Sequence, residues 1–402
     1  MTNGVGSSAV GADNVANGLD SNAFGHGNQA LADSANAFGT GNIISATAVS
    51  SSAFGVLNNI EGKESVAFGF GNSIAYLADG ASAVGHKNTV NGTSGSAIGN
   101  NNGALAMYTT AIGNNNSTVG HNSSAVGQDN IINGSADNSM AFGNANIVSA
   151  VYGGAVGMNN TVSGENAQAY GFKNESSGDD AQAFGALNKA TERYASAFGH
   201  ENEAGGYAGS ALGVKNIVTG SFASAVGYNN QASNYLANAM GTSNIAAGSY
   251  ANAFGVYNQA NVHYSNAIGY ENITNGEFST AVGYTNTTTG EFASILGSNN
   301  TAAYRSNAVG DRNTATGEYA NTFGYNNSAT ANYTNTIGYN NQAQAFASSA
   351  IGYQNTATAS AVSASAFGRS NTVSNEYANA FGALNTASGS SASALGVQNT
   401  AS

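Results

Sequence analysis

Five histidines could bind a transition metal or take part in acid–base chemistry in this chain of 402 residues. Three of them, His26, His86 and His200, directly follow the glycine of a recurring motif, so a repeated fold could place them at equivalent positions. A metal-binding histidine needs further ligands close by and a second group that orients its ring. No His-x-x-x-His spacing occurs, and we find no carboxylate paired with a histidine. We therefore predict no metal and no cofactor, and interpret the histidines as solvated turn residues.

The acidic residues offer no catalytic pair. Hydrolysis of a glycosidic bond needs two carboxylates that converge in a cleft. Glu64, Glu165 and Glu271 are scattered along the chain, and Asp179 and Asp180 are sequence neighbours. Solvated surface carboxylates explain this distribution, so the sequence predicts that the protein is not an enzyme.

Tyrosine is the remaining residue type with chemistry to offer, because it combines contact area with a hydrogen-bonding tip at low entropic cost. Tyr or Phe recurs five residues before a repeated glycine, as at Tyr250, Tyr264 and Phe278. Six tyrosines of the second half directly follow that glycine, and these are the predicted ligand-binding residues: Tyr228, Tyr270, Tyr284, Tyr325, Tyr339 and Tyr353. Aromatic packing at the corners between repeats explains the same enrichment and stays open as an alternative.

One short repeat positions all of these residues. A hydrophobic residue followed by glycine recurs twenty-eight times, with the glycine running from Gly11 to Gly396. With this glycine as position 0, position −2 is Ala except at Ile295, Thr322 and Thr336, and position +3 is always Asn. Most intervals are 14 residues, four are 16 and one is 13. Length changes of this size are expected in a turn, where the chain can bulge without losing register.

The spacing within the repeat predicts two short strands. Small residues at −4, −2 and 0 alternate with larger ones at −5, −3 and −1, which is the period of a strand. A second apolar position at +5 marks a second strand, and Gly and Asn tolerate the positive φ of the corners. One coil cannot bury its own hydrophobic residues, so coils must stack in parallel at about 4.8 Å. The sequence therefore predicts an all-β solenoid of about 28 coils, forming a single domain over residues 1–402.

Both faces of the first strand carry apolar or small residues, so both are expected to be buried. One face lines the interior and the other needs a partner, which predicts a homotrimer. We expect positions −1 and +5 to fill the interior and the small residues at −2 and 0 to meet a neighbouring chain. The reverse assignment fits the pattern nearly as well.

The asparagine at +3 is predicted to be structural. Identical amides stacked at strand spacing can bond to the coils above and below, and can also satisfy the turn's own backbone groups. The members that we single out are Asn244, Asn258, Asn272 and Asn286.

Composition excludes several classes of function. The formal charge is −12 with only nine Lys and Arg, so there is no basic stripe for nucleic acid and no attraction to an anionic membrane. No apolar run of about eighteen residues occurs, so no membrane insertion is expected. The absence of Cys excludes a disulfide scaffold.

The repeats at residues 196–199 (Ser-Ala-Phe-Gly), 224–227 (Ser-Ala-Val-Gly) and 266–269 (Asn-Ala-Ile-Gly) resemble the head repeats of YadA-like trimeric autotransporter adhesins. The resemblance implies a left-handed parallel β-roll that assembles as a homotrimer. It also implies binding to host matrix, host cells or other bacteria from the bacterial outer-membrane surface, in a role in virulence. We expect the export signal and the C-terminal membrane anchor to lie outside this chain. Asn at +3 and polar residues at −3 depart from the common pattern of the family.

A second class of function stays open. The same solenoid could serve as a structural fibre, including a phage tail fibre, in which it acts as a spacer without a ligand of its own. Direct binding to matrix proteins, glycans or cells would separate this alternative from adhesion.

Overall fold

The computed structural model describes residues 1–402 as two compact units, Met1–Ala204 and Gly205–Ser402, built only from strands and turns. Each unit is a parallel β-solenoid of fourteen coils, and every coil contributes one strand of five residues and one of two residues. The alternation of small and larger residues forms the long strand from −3 to +1, and the apolar position +5 lies in the short strand. The predicted all-β repeat is thereby confirmed.

In the first unit the long strands are Ser8–Ala12, Asn22–His26, Asn36–Thr40, Ser52–Val56, Val66–Phe70, Ser82–His86, Ser96–Asn100, Thr110–Asn114, Ser124–Gln128, Met140–Asn144, Gly154–Met158, Gln168–Phe172, Gln182–Ala186 and Ser196–His200. Its short strands are Val15–Ala16, Gln29–Ala30, Ile43–Ile44, Asn59–Ile60, Ser73–Ile74, Thr89–Val90, Gly103–Ala104, Ser117–Thr118, Ile131–Ile132, Ile147–Val148, Thr161–Val162, Glu175–Ser176, Lys189–Ala190 and Glu203–Ala204.

In the second unit the long strands are Ser210–Val214, Ser224–Tyr228, Asn238–Thr242, Asn252–Val256, Asn266–Tyr270, Thr280–Tyr284, Ser294–Ser298, Asn307–Asp311, Asn321–Tyr325, Asn335–Tyr339, Ser349–Tyr353, Ser365–Arg369, Asn379–Ala383 and Ser393–Val397. Its short strands are Ile217–Val218, Gln231–Ala232, Ile245–Ala246, Gln259–Ala260, Ile273–Thr274, Thr287–Thr288, Thr301–Ala302, Thr314–Ala315, Ser328–Ala329, Gln342–Ala343, Thr356–Ala357, Thr372–Val373, Thr386–Ala387 and Thr400–Ala401.

Equivalent residues of successive coils pair with each other. Ala253 pairs with Ala267, and Gly255 pairs with Gly269, in a parallel ladder. A slip of one residue would turn every small interior residue towards solvent, so the repeat itself fixes the register. Each position therefore forms a column along its unit.

Two corners join the strands of a coil. The asparagine corner consists of positions +2 and +3, such as Ser243 and Asn244, and keeps two residues in every coil. The variable corner is the segment between a short strand and the next long strand, such as residues 247–251. In a 16-residue coil residues 45–51 form this corner, and in the 13-residue coil residues 303–306 form it. The prediction that length changes fall in a turn is confirmed.

The interior holds positions −4, −2, +3 and +5. Ala253 at −2 and Ala260 at +5 are fully buried, and the largest buried side chains, such as Ile44 and Ile74, also lie at +5. The prediction for +5 is confirmed. The prediction that −1 fills the interior is wrong, because −2 points inward and strand alternation then turns −1 outward. Phe323 at −1 is 58% exposed.

The glycine at position 0 is required by both its backbone and its surroundings. Gly269 has a φ of 121°, a region that side chains rarely adopt. A Cβ built there would lie 2.1 Å from the carbonyl oxygen of Gly283 in the next coil. Any other residue would force the two coils apart, which explains why this position never varies.

Candidate functional site

Each asparagine of the +3 column links three coils. The backbone N–H and Nδ2 of Asn258 both donate to Oδ1 of Asn244 in the preceding coil, at 3.0 Å each. Nδ2 also donates to the carbonyl of Phe254 in its own coil at 3.0 Å, and to that of Gly269 in the next coil at 2.7 Å. The equivalent bonds are made by Asn244, Asn272 and Asn286. The amides are buried and bonded within the chain, so they offer no group to a ligand.

The tyrosines predicted to bind a ligand end their long strands at +1, on the same side of the sheet as the −1 residues. Tyr270 and Tyr284 stack with ring centroids 5.1 Å apart and planes 9° apart. Tyr325, Tyr339 and Tyr353 form a second stack, with centroids 5.2 and 5.0 Å apart. The structure thus brings five of the six rings together as two short stacks.

The +1 column is interrupted in two places. Thr242 and Val256 separate Tyr228 from the first stack, and Ser298 and Asp311 separate the two stacks. A ligand on this column would therefore meet patches of two and three rings rather than one continuous edge.

Neighbouring charged and polar groups shift the pKa values of two side chains in the +1 column. The carboxylate of Glu271 raises the pKa of the Tyr270 phenol above its usual value, and burial acts in the same direction. The Ser298 hydroxyl donates to Oδ1 of Asp311 at 2.8 Å and lowers the pKa of that carboxyl below its usual value. Nη1 of Arg312 donates to the Tyr325 hydroxyl at 2.7 Å. These are single contacts, and no cluster of like charges forms along the column.

A second aromatic column lies at position −5, in the variable corner of the second unit. We call it the left-handed aromatic column because its residues all have positive φ. Its members are Phe222, Tyr250, Tyr264, Phe278, Phe292, Tyr319, Tyr333 and Tyr377. The enrichment of aromatic residues at −5 was visible in the sequence, but the tyrosines at +1 were the ones predicted to bind a ligand. The signal that could have identified this column is that aromatic residues occupy a position at which many other coils carry Asn, Asp, Ser or Gly.

The left-handed aromatic column contains longer stacks than the +1 column. Successive rings from Tyr250 through Tyr264 and Phe278 to Phe292 have centroids 4.7, 4.8 and 5.1 Å apart. Their planes differ by 5°, 7° and 4°, so four consecutive coils present parallel rings.

Two of the five histidines lie near a carboxylate, whereas the sequence revealed no such pair. Nε2 of His26 lies 3.6 Å from Asp13, and Nδ1 of His200 lies 3.7 Å from Glu201. The folding of the corner brings His26 to Asp13 in the preceding coil, which sequence spacing does not reveal. Both pairs are solvent-exposed, where such pairs contribute little to stability. No group of three His, Asp or Glu side chains is arranged to hold a metal ion.

A shallow cavity of about 620 Å³ lies on the variable corner of the first unit. Its apolar lining comes from Leu77, Leu105, Met107 and Val119. Asp79 is the one carboxylate among the lining residues, which also include His121, so the cavity lacks the two carboxylates that glycoside hydrolysis requires.

The structure contains no helix that is long and apolar enough to cross a membrane. A search for curated relatives of similar sequence found no match. The family model described as the YadA head domain repeat matches twice, at residues 104–130 in the first unit and at residues 263–286 in the second. The resemblance inferred from the sequence is therefore confirmed, and the chain carries the YadA head domain repeat in both of its units.

Proposed function

We propose that this chain is the head of a trimeric adhesin on a bacterial surface, a left-handed β-roll that binds host matrix, host cells or other bacteria. The observation that carries the proposal is the outward column at −1, where no coil buries its large apolar side chain within the chain. Soluble monomers rarely expose contiguous apolar surface on this scale. The column therefore needs a partner that covers it.

Another copy of the same chain is the best partner for this column. Its own −1 residues repeat at the same coil spacing, so apolar side chains would face each other in every coil. Position −3, on the same face, is mostly Ser, Asn, Thr or Gln, so two copies would meet with little charge repulsion. Parallel chains around one axis give a closed cyclic assembly, and the family likeness favours three.

The tyrosines at +1 are the proposed ligand-binding residues of this head. They lie at the end of the strand that carries the −1 column, and so would border the seam between chains. Three chains with several patches each would bind through many weak contacts, and multivalency would supply the avidity. Because the chain carries few charges, recognition would depend on stacking, hydrogen bonds and shape, and would tolerate salt.

A structural spacer, as in a phage tail fibre, is the alternative proposal. The regular coils and the fully bonded asparagine column suit a passive element as well as an adhesive one. Both proposals require self-association, so only direct binding separates them.

The test is adhesion of the full chain to immobilised matrix proteins, epithelial cells and bacteria. Tyr270, Tyr284, Tyr325, Tyr339 and Tyr353 are changed together to Ser, and we expect most adhesion to be lost while the assembly stays folded. Tyr108→Ser with Tyr152→Ser removes exposed tyrosines that lie at −5 in the first unit; this variant is the control and should adhere normally. Unaltered adhesion of the folded five-site variant would contradict the assignment of these tyrosines. No adhesion by the unaltered chain to any surface would favour the spacer.

A further inference from the structure

We propose that the left-handed aromatic column of the second unit binds an uncharged carbohydrate chain. The inference rests on the proposed adhesive function and names a ligand class and a second site for it. The column lies at the variable corner and not on the sheet face of the −1 residues. It would therefore remain accessible if those faces were covered by self-association.

The backbone at this column disfavours the residues that occupy it. Tyr250 and Tyr333 have φ values of 57° and 62°, in a region that bulky side chains rarely adopt. Asn122, Asn138 and Asn166 occupy the same position in the first unit with φ values of 53° to 56°, and Asn tolerates this conformation well. The fold therefore does not require aromatic residues here. Their use at this strained position in four consecutive coils, where the first unit has only non-consecutive ones, indicates a role beyond folding.

Stacking between the rings does not bury them. Phe278 and Phe292 stack in parallel at 5.1 Å, yet Phe278 remains 47% exposed and has no hydroxyl to satisfy in water. Asn at these positions would relieve the backbone and present a polar surface. If the column were purely structural, that exchange would stabilise the fold. If the column is a contact surface, the exchange would remove its apolar area.

The exposed parts of the rings favour electron-rich, hydroxyl-bearing ligands. In a parallel stack the faces cover each other, and the outward part is the ring edge, which carries partial positive charge. Such edges attract the oxygens of hydroxyl groups and do not attract cations. Tyr235, at −6, packs edge-to-face at 85° against Phe222 and at 75° against Tyr250, so no parallel ring covers it. A partly open ring face can accept the C–H face of a sugar ring.

The charges beside the column exclude anionic ligands. Glu277 directly precedes Phe278, and Glu291 directly precedes Phe292. The same order recurs in Glu318-Tyr319 and Glu376-Tyr377. Carboxylates that alternate with rings accept hydrogen bonds from neutral hydroxyl groups and repel sulfated or sialylated chains. Arg305, which occupies −5 between Phe292 and Tyr319, already lies over the rings of Phe292, Tyr304 and Tyr319.

The regular spacing favours a polymer over a compact ligand. One ring per coil at 4.7 to 5.1 Å over four consecutive coils offers equal contacts to a linear chain of repeated sugars. The rings are also rigid, because an aromatic side chain has only two rotatable bonds to fix on binding.

The test compares the full chain with a variant that carries Tyr250→Asn, Tyr264→Asn, Phe278→Asn and Phe292→Asn. Binding is measured on a glycan array that holds neutral, sulfated and sialylated glycans, then by calorimetry with soluble neutral polysaccharides. Unfolding temperature is recorded for both proteins. We expect the full chain to bind a neutral class and the variant to lose at least tenfold in affinity, with an equal or higher unfolding temperature.

Two further variants isolate the causes. Tyr108→Asn with Tyr152→Asn makes the same exchange at the same backbone conformation in the first unit and should bind as the unaltered chain does. Glu277→Gln with Glu291→Gln keeps the rings and should weaken neutral-glycan binding without a change in unfolding temperature.

Three results would overturn the inference: no neutral glycan bound by the full chain, binding confined to anionic glycans or to proteins, or neutral-glycan binding unchanged in the four-site variant. Cell adhesion by a chain that binds no glycan would reject this inference alone. Glycan binding by a chain that adheres to no cell or matrix would instead reject the proposed adhesive function.

Discussion

A single side chain of the +3 column satisfies polar groups in three successive coils, so its removal leaves buried partners without bonds. Loss of the Asn258 side chain would break its Nδ2 bonds to Oδ1 of Asn244 and to the carbonyls of Phe254 and Gly269. It would also leave the buried backbone N–H of Asn272 without its acceptor. A lost hydrogen bond costs roughly 0.5–1.5 kcal/mol, and an orphaned buried group costs more. At this scale the fold depends on a few atoms repeated in every coil.

We predict that Asn244→Ala, Asn258→Ala and Asn272→Ala together lower the unfolding temperature of the chain. The expected loss is at least about 0.5–1.5 kcal/mol per site, because each change removes several buried hydrogen bonds. Thermal denaturation followed by circular dichroism measures it.

The control for this prediction lies in the same coils. Asn238, Asn252 and Asn266 form an outward amide ladder, whose side-chain bonds of 2.9 and 2.8 Å are only partly buried. Changing these three to Ala should alter stability by no more than about 0.5 kcal/mol per site. Equal losses of stability in the two triple variants would show that the burial of the +3 column does not cause the destabilisation.

The anchor glycine supplies a second residue-scale prediction. Gly269→Ala should destabilise the second unit by about 1–3 kcal/mol or more, since its Cβ would lie 2.1 Å from a neighbouring backbone oxygen at a φ of 121°. Gly27→Ala is the matched control, because its φ is also positive but nothing lies within 4 Å of the added Cβ. Urea denaturation compares the two, and similar losses would contradict the steric explanation.

At the scale of elements, the two strands of a coil differ in what the sequence could reveal. The period of two and the fixed Asn placed both strands and both corners correctly. Which side chains of the long strand point into the interior was not predictable. Small residues at −2 and 0 and large ones at −1 suit either side of a thin sheet. Burial decided it: Ala253 is enclosed, whereas Leu296 is 55% exposed. The left-handed backbone conformation at −5 was also not predictable, because aromatic residues do not indicate a positive φ.

We predict that the −1 column mediates self-association. Leu296→Ser, Phe323→Ser and Phe367→Ser together should weaken the assembly while each chain keeps its fold, since burial of each such side chain contributes about 1.5–3 kcal/mol. Sedimentation measures the assembly, and circular dichroism measures the fold.

The control uses exposed apolar residues of the asparagine corner. Leu57→Ser and Leu384→Ser alter side chains that are comparably exposed but lie off the −1 face, so the assembly should persist. Dissociation by the control, or none by the −1 variant, would place the contact elsewhere.

At the scale of the whole molecule, repetition accounts for what the sequence predicted well and what it did not. The repeat length, the invariant Asn and the Ala-hydrophobe-Gly pattern were enough to predict the solenoid and the family resemblance. Five of the six predicted binding tyrosines form two separate stacks, because the few coils with Thr, Val, Ser or Asp at +1 interrupt the column. That residues 1–402 form a single domain stays a prediction, and so does the class of ligand.

The central claim is that three chains associate through their outward apolar columns. Light scattering of the purified chain at micromolar concentration tests this most directly. The account predicts a particle of three times the chain mass of 39.9 kDa. A particle of 39.9 kDa that remains folded and soluble would contradict it.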